Sequence, residues 1–198
     1  MPSDRIDAAQ IEALVHRQFA CFIFPGLADG TEIPCFALTS PQAGSDAASM
    51  RTRAAAGDGG WVLNGQKSWI TNAGISKYYT VMAVTDPAAG PRGISAFVVH
   101  HDDPGFSLGT PERKLGIHGS PTCSLVFGQN GGCRGWLLGE EQKGMKLMFY
   151  MMNAARIDVG LQGLAVAAET LAATVLGAWF FVESTLLLRD RTRAGEQI

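Results

Sequence analysis

Four segments of this 198-residue chain combine residue types that binding and catalysis use. The first is Leu38-Thr39-Ser40-Pro41-Gln42-Ala43-Gly44-Ser45-Asp46. A loop of this make-up can turn successive backbone N–H groups toward one point and hold a phosphate, with Gly44 allowing close approach and Ser45 adding a hydroxyl donor. Thr39, at the end of a short apolar run, can donate a hydrogen bond to a ring nitrogen. An ordinary turn satisfies the same residues. The second segment is Asn64-Gly65-Gln66-Lys67-Ser68-Trp69-Ile70-Thr71-Asn72-Ala73-Gly74. Strand alternation places Trp69 and Thr71 on one face. An aromatic plane beside a hydroxyl suits a flat heteroaromatic ligand, and plain core packing of the indole is the competing reading. The third, Lys114-Leu115-Gly116-Ile117-His118-Gly119-Ser120-Pro121-Thr122-Cys123, holds His118 in a glycine-punctuated turn, as a catalytic candidate or a surface histidine. The fourth is Met151-Met152-Asn153-Ala154-Ala155-Arg156. Asn153 and Arg156, three apart, share a helix face and can hold a polar or anionic group; a solvated ion-pair arginine has the same pattern.

These segments need elements to carry them. Ile11, Leu14, Val15 and Phe19 recur at helical spacing, which predicts a helix over 6–19 with Ser3 and Asp4 as candidate caps. From about residue 34 the pattern changes to short strands divided by turn residues. Cys35–Thr39, Trp61–Leu63, Gln66–Thr71, Tyr78–Thr85, Ile94–His100 and Thr122–Phe127 read as strands, with Asn64-Gly65 as a two-residue hairpin turn and Pro87–Pro91 as a link. Such a series predicts an antiparallel barrel or sandwich. From Glu140 onward the spacing of Met145, Met148, Phe149, Met152, Ile157, Leu161 and Leu164 is helical, and Gly160, Gly163 and Gly177 predict interruptions. The fold class is therefore α+β, a central β-domain over 34–133 between helical segments at 1–33 and 134–198.

Composition narrows the functions. Sixteen Lys+Arg against 18 Asp+Glu leave a formal charge of -2, so no domain-wide basic footprint for nucleic acid exists. The hydrophobic share of 46% is enough for a core. Cys21, Cys35, Cys123 and Cys133 form no C-x-x-C pair and have no histidine at zinc-ligand spacing, so they read as buried thiols and no metal is expected. Met1 to Phe19 mixes charges and lacks an apolar core, which predicts no signal peptide and a cytoplasmic protein. The longest charge-free run near the C-terminus, Leu171–Val182, is 12 residues, short of the ~20 a bilayer needs, so no membrane span is expected.

In their order and spacing the four segments resemble the acyl-CoA dehydrogenase family: L-T-x-P-x-A-G-S-D, then N-G-x-K-x-W-I-T-N, then K-L-G-x-x-x-S-P-T, then a helix bearing an arginine. The resemblance covers roughly residues 25–168. Arg134–Glu141 together with Met151–Arg156 looks most like the larger subgroup that includes methylthiopropanoyl-CoA dehydrogenases. The resemblance implies a flavoprotein in which Phe36, Leu38, Thr39, Gly44 and Ser45 lie along FAD and Trp69, Ile70 and Thr71 flank its ring. Ser45, Asn153 and Arg156 match positions that meet the acyl-CoA. The implied reaction is α,β-dehydrogenation of an acyl-CoA thioester, as in fatty acid β-oxidation, with electrons passing to an electron-transferring flavoprotein and a homo-oligomer expected when the enzyme is complete.

The chain departs from the family pattern in several places. Ser40 stands where the pattern has an acidic residue. Ala155 stands where some relatives carry the catalytic base, and Glu140, Glu141 and Glu169 lack the motif context, so no base is named. Asp190–Gly195 matches the arginine-bearing C-terminal motif only weakly, through Arg191. These departures and the short segments around the β-domain predict an incomplete chain with little or no activity alone. A non-enzymatic β-module that associates through its exposed helical segment is the alternative, and a relative using the scaffold for desulfination or nitroalkane oxidation is a second enzymatic one.

Overall fold

The computed structural model describes residues 26, 29–57, 59–129 and 131–193, with side chains described to 186. The helix expected over 6–19 lies outside these residues. The chain divides into two compact units between Met148 and Phe149.

Among the described residues the first unit has eight strands: β1 (Pro34–Ala37), β2 (Arg53–Gly57), β3 (Gly60–Thr71), β4 (Tyr78–Val84), β5 (Ile94–His100), β6 (Phe106–Leu108), β7 (Thr122–Phe127) and β8 (Cys133–Leu138). Their order is β1-β4-β5-β8-β3-β7-β6, with β2 joined to β3 and β4, and they form a sandwich. The sheet is mixed, which corrects the wholly antiparallel expectation: β1 runs parallel to β4, from Pro34↔Tyr78 to Ala37↔Val81. β2 and β3 intervene in sequence, and such a long crossover is what parallel pairing requires.

β5 lies between β4 and β8, and Ile94 to Val99 are all buried. A strand covered on both faces reads as a continuous apolar run, which Ile94–Val99 is apart from Ser95. Phe106 stacks against Tyr79 and Phe127 at ring distances of 4.7 and 5.8 Å, and Phe97 meets Trp61 at 5.4 Å. Each such buried side chain contributes about 1.5–3 kcal/mol.

Asn64-Gly65 makes no hairpin. β3 runs unbroken through it, pairing with β2 and β8 over its first part and with β7 over its second. Gly65 is needed instead for close packing: a Cβ there would lie 2.7 Å from Thr52 Cα, and its φ is 137°. The boundary expected at 133/134 also moves. Cys133–Leu138 is a strand of the sheet, paired with β3 and β5, so the β-rich unit continues past it.

One helix follows, α1 (Gly144–Arg193). Its first turn seats on β5, where a Cβ at Gly144 would lie 2.6 Å from the Ser95 carbonyl carbon and Gln142 N–H donates to Ser95 Oγ at 2.7 Å. From Phe149 onward the helix is the second unit. Gly160, Gly163 and Gly177 do not interrupt it, because they are set among Ala and Leu, which favour helix enough to offset them. Its apolar residues from Ile157 to Leu186 are exposed within this chain. By length and composition, Gly144–Leu186 is apolar enough to cross a membrane, with mean hydropathy 1.7 over an 18-residue window. The helix joins the apolar stretches on either side of Glu169, which a charge-free run of 12 residues conceals.

Candidate cofactor site

The site begins with a change of phase in β3. Leu63 and Lys67 point inward, and simple alternation would send Trp69 inward after them. It does not. Lys67 pairs with Leu125 and Ile70 with Cys123, so three steps on β3 match two on β7, which is a β-bulge. Trp69 takes a left-handed φ of 56° at the bulge. That conformation is a true outlier for a bulky side chain and marks stored strain. The result is that Ile70 turns into the core at 2% exposure while Trp69 stands out at 64%, with Thr71 exposed beside it.

The loop after β1 lies against this bulge. Ser68 N–H donates to the Thr39 carbonyl at 2.9 Å. Ser40 and Ala43 exchange backbone hydrogen bonds of 3.1 and 3.0 Å, closing the turn that presents Gly44 and Ser45 to solvent. Cys35 Sγ–H donates to the Thr71 carbonyl at 2.9 Å, tying β1 to the other side of the indole. The third segment joins at the end of β3. Asn72, also left-handed at φ 64°, donates its N–H to the Pro121 carbonyl at 2.8 Å and accepts from Ser120 Oγ at 2.8 Å. Lys114 Nζ caps the turn through the Ile117 and Ser120 carbonyls at 2.8 and 2.5 Å, leaving His118 exposed in an exposed loop.

Three of the four segments thus meet on one unit. Phe36, Leu38 and Thr39 are half-buried, and Gly44, Ser45, Trp69 and Thr71 are exposed. Ile70 is a correction: its side chain belongs to the core, so only its backbone can face a ligand. Asn153 and Arg156 lie on the second unit, where Arg156 NH1 donates to Asn153 Oδ1 at 3.4 Å across one helix face. Arg191 lies where side chains are not described, and Glu140, Glu141 and Glu169 are exposed.

One residue of the site was not anticipated. Lys67 is 0% exposed and sits under the loop, its Nζ donating to the Leu38 carbonyl at 2.9 Å, Ser40 Oγ at 3.2 Å and Met50 Sδ at 3.6 Å. Burial pulls its ammonium from the ordinary 10.5 down to about 7. The signal available in sequence was its inward phase with Leu63. Burial also pushes the Cys35 and Cys133 thiols up to about 12, which rules them out as nucleophiles near neutrality. At the turn after β5, His100, His101 and Asp102 lie close together, but Asp102 N–H already occupies His100 Nδ1 at 3.2 Å, and no metal is assigned there.

The rim fits a flat heteroaromatic group with a phosphate tail. An exposed indole with the exposed Thr71 two residues on along the same strand offers a plane and a polar edge. Gly44 has nothing of the chain within 4 Å of where a Cβ would be and no positive φ, so its lack of a side chain leaves room outside the chain.

Comparison with known proteins supplies the class. The acyl-CoA dehydrogenase middle domain matches residues 35–129, the stretch that builds this rim. A probable acyl-CoA dehydrogenase of Mycobacterium leprae is 45% identical over 179 residues, 89% of this chain and 43% of its own. The butyryl-CoA dehydrogenase structure from Megasphaera elsdenii superposes with a TM-score of 0.61 at 44% identity, covering 66% of this chain and 34% of that one. An acyl-CoA dehydrogenase from Bacillus anthracis, solved in complex with FAD, gives 0.59 at 37% identity, covering 67% and 22%. The fold is therefore that of an acyl-CoA dehydrogenase β-domain. The chain belongs to the acyl-CoA dehydrogenase family, and spans about two fifths of the length of the curated relatives it matches.

Proposed function

We propose that this chain holds FAD at the rim formed by Thr39, Trp69 and Thr71 and serves the α,β-dehydrogenation of an acyl-CoA thioester. The observation that carries this reading is Trp69, an exposed indole kept in a left-handed conformation at a bulge, beside a loop hydrogen-bonded to its neighbour Ser68. Strain of this kind persists where a ligand uses the geometry. When bound, FAD supplies the hydride acceptor for the substrate's β-carbon. The residues of this chain supply position. Trp69 covers one face of the ring, Thr39 and Thr71 offer hydroxyls to its polar edge, and Gly44 with Ser45 takes the phosphates. Ser45, Asn153 and Arg156 are assigned to the acyl-CoA.

Electrons pass to an electron-transferring flavoprotein, and the setting is fatty acid β-oxidation in the cytoplasm. The formal charge of -2 argues against nucleic acid as a partner. The helix from Phe149 is read as one member of a helical assembly in a homo-oligomer rather than as a membrane span. Any ~20-residue span that contains the apolar run 171–182 takes in Glu169 or Glu183, a carboxylate that is unfavourable in lipid.

The test is titration of the purified chain with FAD, followed by quenching of flavin fluorescence and a shift of its visible absorption. Binding that is weakened about 30-fold by Trp69→Ala is expected, from loss of about 2 kcal/mol of stacking and burial. Unquenched flavin at saturating protein would refute the cofactor assignment.

A further inference from the structure

Lys67 and Ser68 act in succession on the same short stretch of the neighbouring loop. Ser68 holds the Thr39 carbonyl and Trp69 turns outward. Lys67 reaches beneath to the residues on either side of Thr39, the Leu38 carbonyl at 2.9 Å and the Ser40 hydroxyl at 3.2 Å. Ser40 is itself 1% exposed and closes the turn with Ala43. Met50 Sδ at 3.6 Å takes the third direction, so three acceptors match the three N–H bonds of an ammonium group. All three acceptors are neutral. Among the described residues Lys67 is thus a fully buried lysine with no carboxylate partner, a costly arrangement for a residue that served only to fill the core.

We propose that Lys67 is a positioning residue for the nucleotide cofactor: by gripping the Leu38 carbonyl and the Ser40 hydroxyl it fixes the Thr39–Ser45 loop in the conformation that meets FAD. This rests on the FAD reading above. Removing the grip frees two acceptors on the loop without touching any surface that a ligand would contact.

The experiment uses the full chain as Lys67→Met, which keeps length and apolar volume, and as Ser40→Ala, which removes one acceptor and no buried charge. Amide hydrogen exchange is read at Ala43, whose N–H closes the turn, and at Phe97 and Val99 in β5; FAD affinity is read in parallel. Lys67→Met is expected to lower Ala43 protection and FAD affinity by about tenfold each, with β5 protection changed less, and Ser40→Ala by about threefold. If Lys67→Met does not fold, the Ser40→Ala pair of readouts decides. Equal loss of protection in the turn and in β5, or a loosened turn with undiminished FAD affinity, would overturn the proposal. A wild-type chain that binds no FAD would sink the functional reading and the cofactor role together, whereas a lysine without effect in a chain that does bind FAD sinks only the inference.

Discussion

Lys67→Met also separates the electrostatic cost of this lysine from its geometry, because the cost depends on pH. In the unfolded chain the ammonium titrates near 10.5, and in the folded chain near 7. Between those values the unfolded state binds more protons, so unfolding becomes harder as pH rises, by up to about 1.4 kcal/mol per pH unit. Below about pH 6 both states are charged and the full penalty, several kcal/mol, is constant. From about pH 7 to about pH 8.5 the expected gain is about 1–2 kcal/mol, since half of the folded molecules are still protonated at the lower limit. Higher pH is avoided because Cys35 and Cys133 oppose the trend. Their thiols, pushed up to about 12 by burial, ionise first in the unfolded chain above about 9. The assay is urea unfolding of the wild type and of Lys67→Met, followed by tryptophan fluorescence across this window. The wild-type unfolding free energy should rise with pH, and the variant's should lose about 1–2 kcal/mol of that rise. A variant with the wild-type slope would show that the lysine is not the titrating group, and a flat or falling wild-type profile would show that it is charged and satisfied in the folded state at neutral pH.

Trp69→Gly should leave the urea midpoint unchanged or raise stability by about 1 kcal/mol, since glycine removes the penalty of a left-handed φ, while FAD quenching is lost; a fall of stability beyond about 1 kcal/mol would assign the indole to the core. Gly65→Ala should destabilise by about 2–3 kcal/mol, because its methyl would meet Thr52 Cα at 2.7 Å and φ is 137°; an unchanged midpoint would contradict the close packing of β3 on the strand-2 side. With a thiol reagent at neutral pH, Cys35, Cys123 and Cys133 should react only after urea is added, since all three are free and buried. Rapid reaction of more than one thiol per folded chain would place at least one of them at the surface.

Parts of the fold that depend on local composition were legible. Ile94–His100 and Thr122–Phe127 are strands with the expected bounds because β-branched and aromatic residues fill them. β2 was not, since Arg-Ala-Ala-Ala-Gly has little strand preference and is held by its pairing with β3. Asn64-Gly65 carried a strong turn signal that lost to tertiary pairing, because each half of β3 finds its partners elsewhere. The site was legible as a set of residue types: Trp69 and Thr71 do share the outer face. That this face is the outer one was hidden, because alternation counted from Leu63 and Lys67 would send both inward and the bulge shifts the phase. Lys67 was missed for a related reason, that a charged residue in a strand is expected to face water.

The bulge makes the outcome of this strand a matter of parity. Lys67 and Ile70 both point inward although an odd number of steps separates them, because the bulge absorbs one step against β7. Flattening the strand at its present length would exchange Trp69 with Ile70, soaking an aliphatic side chain and drowning an indole, whereas deleting Ser68 would restore two steps to two and leave the indole wet with no left-handed residue to hold it out. What the extra residue adds is therefore the outward twist at the indole, not the choice of which side chain is dry.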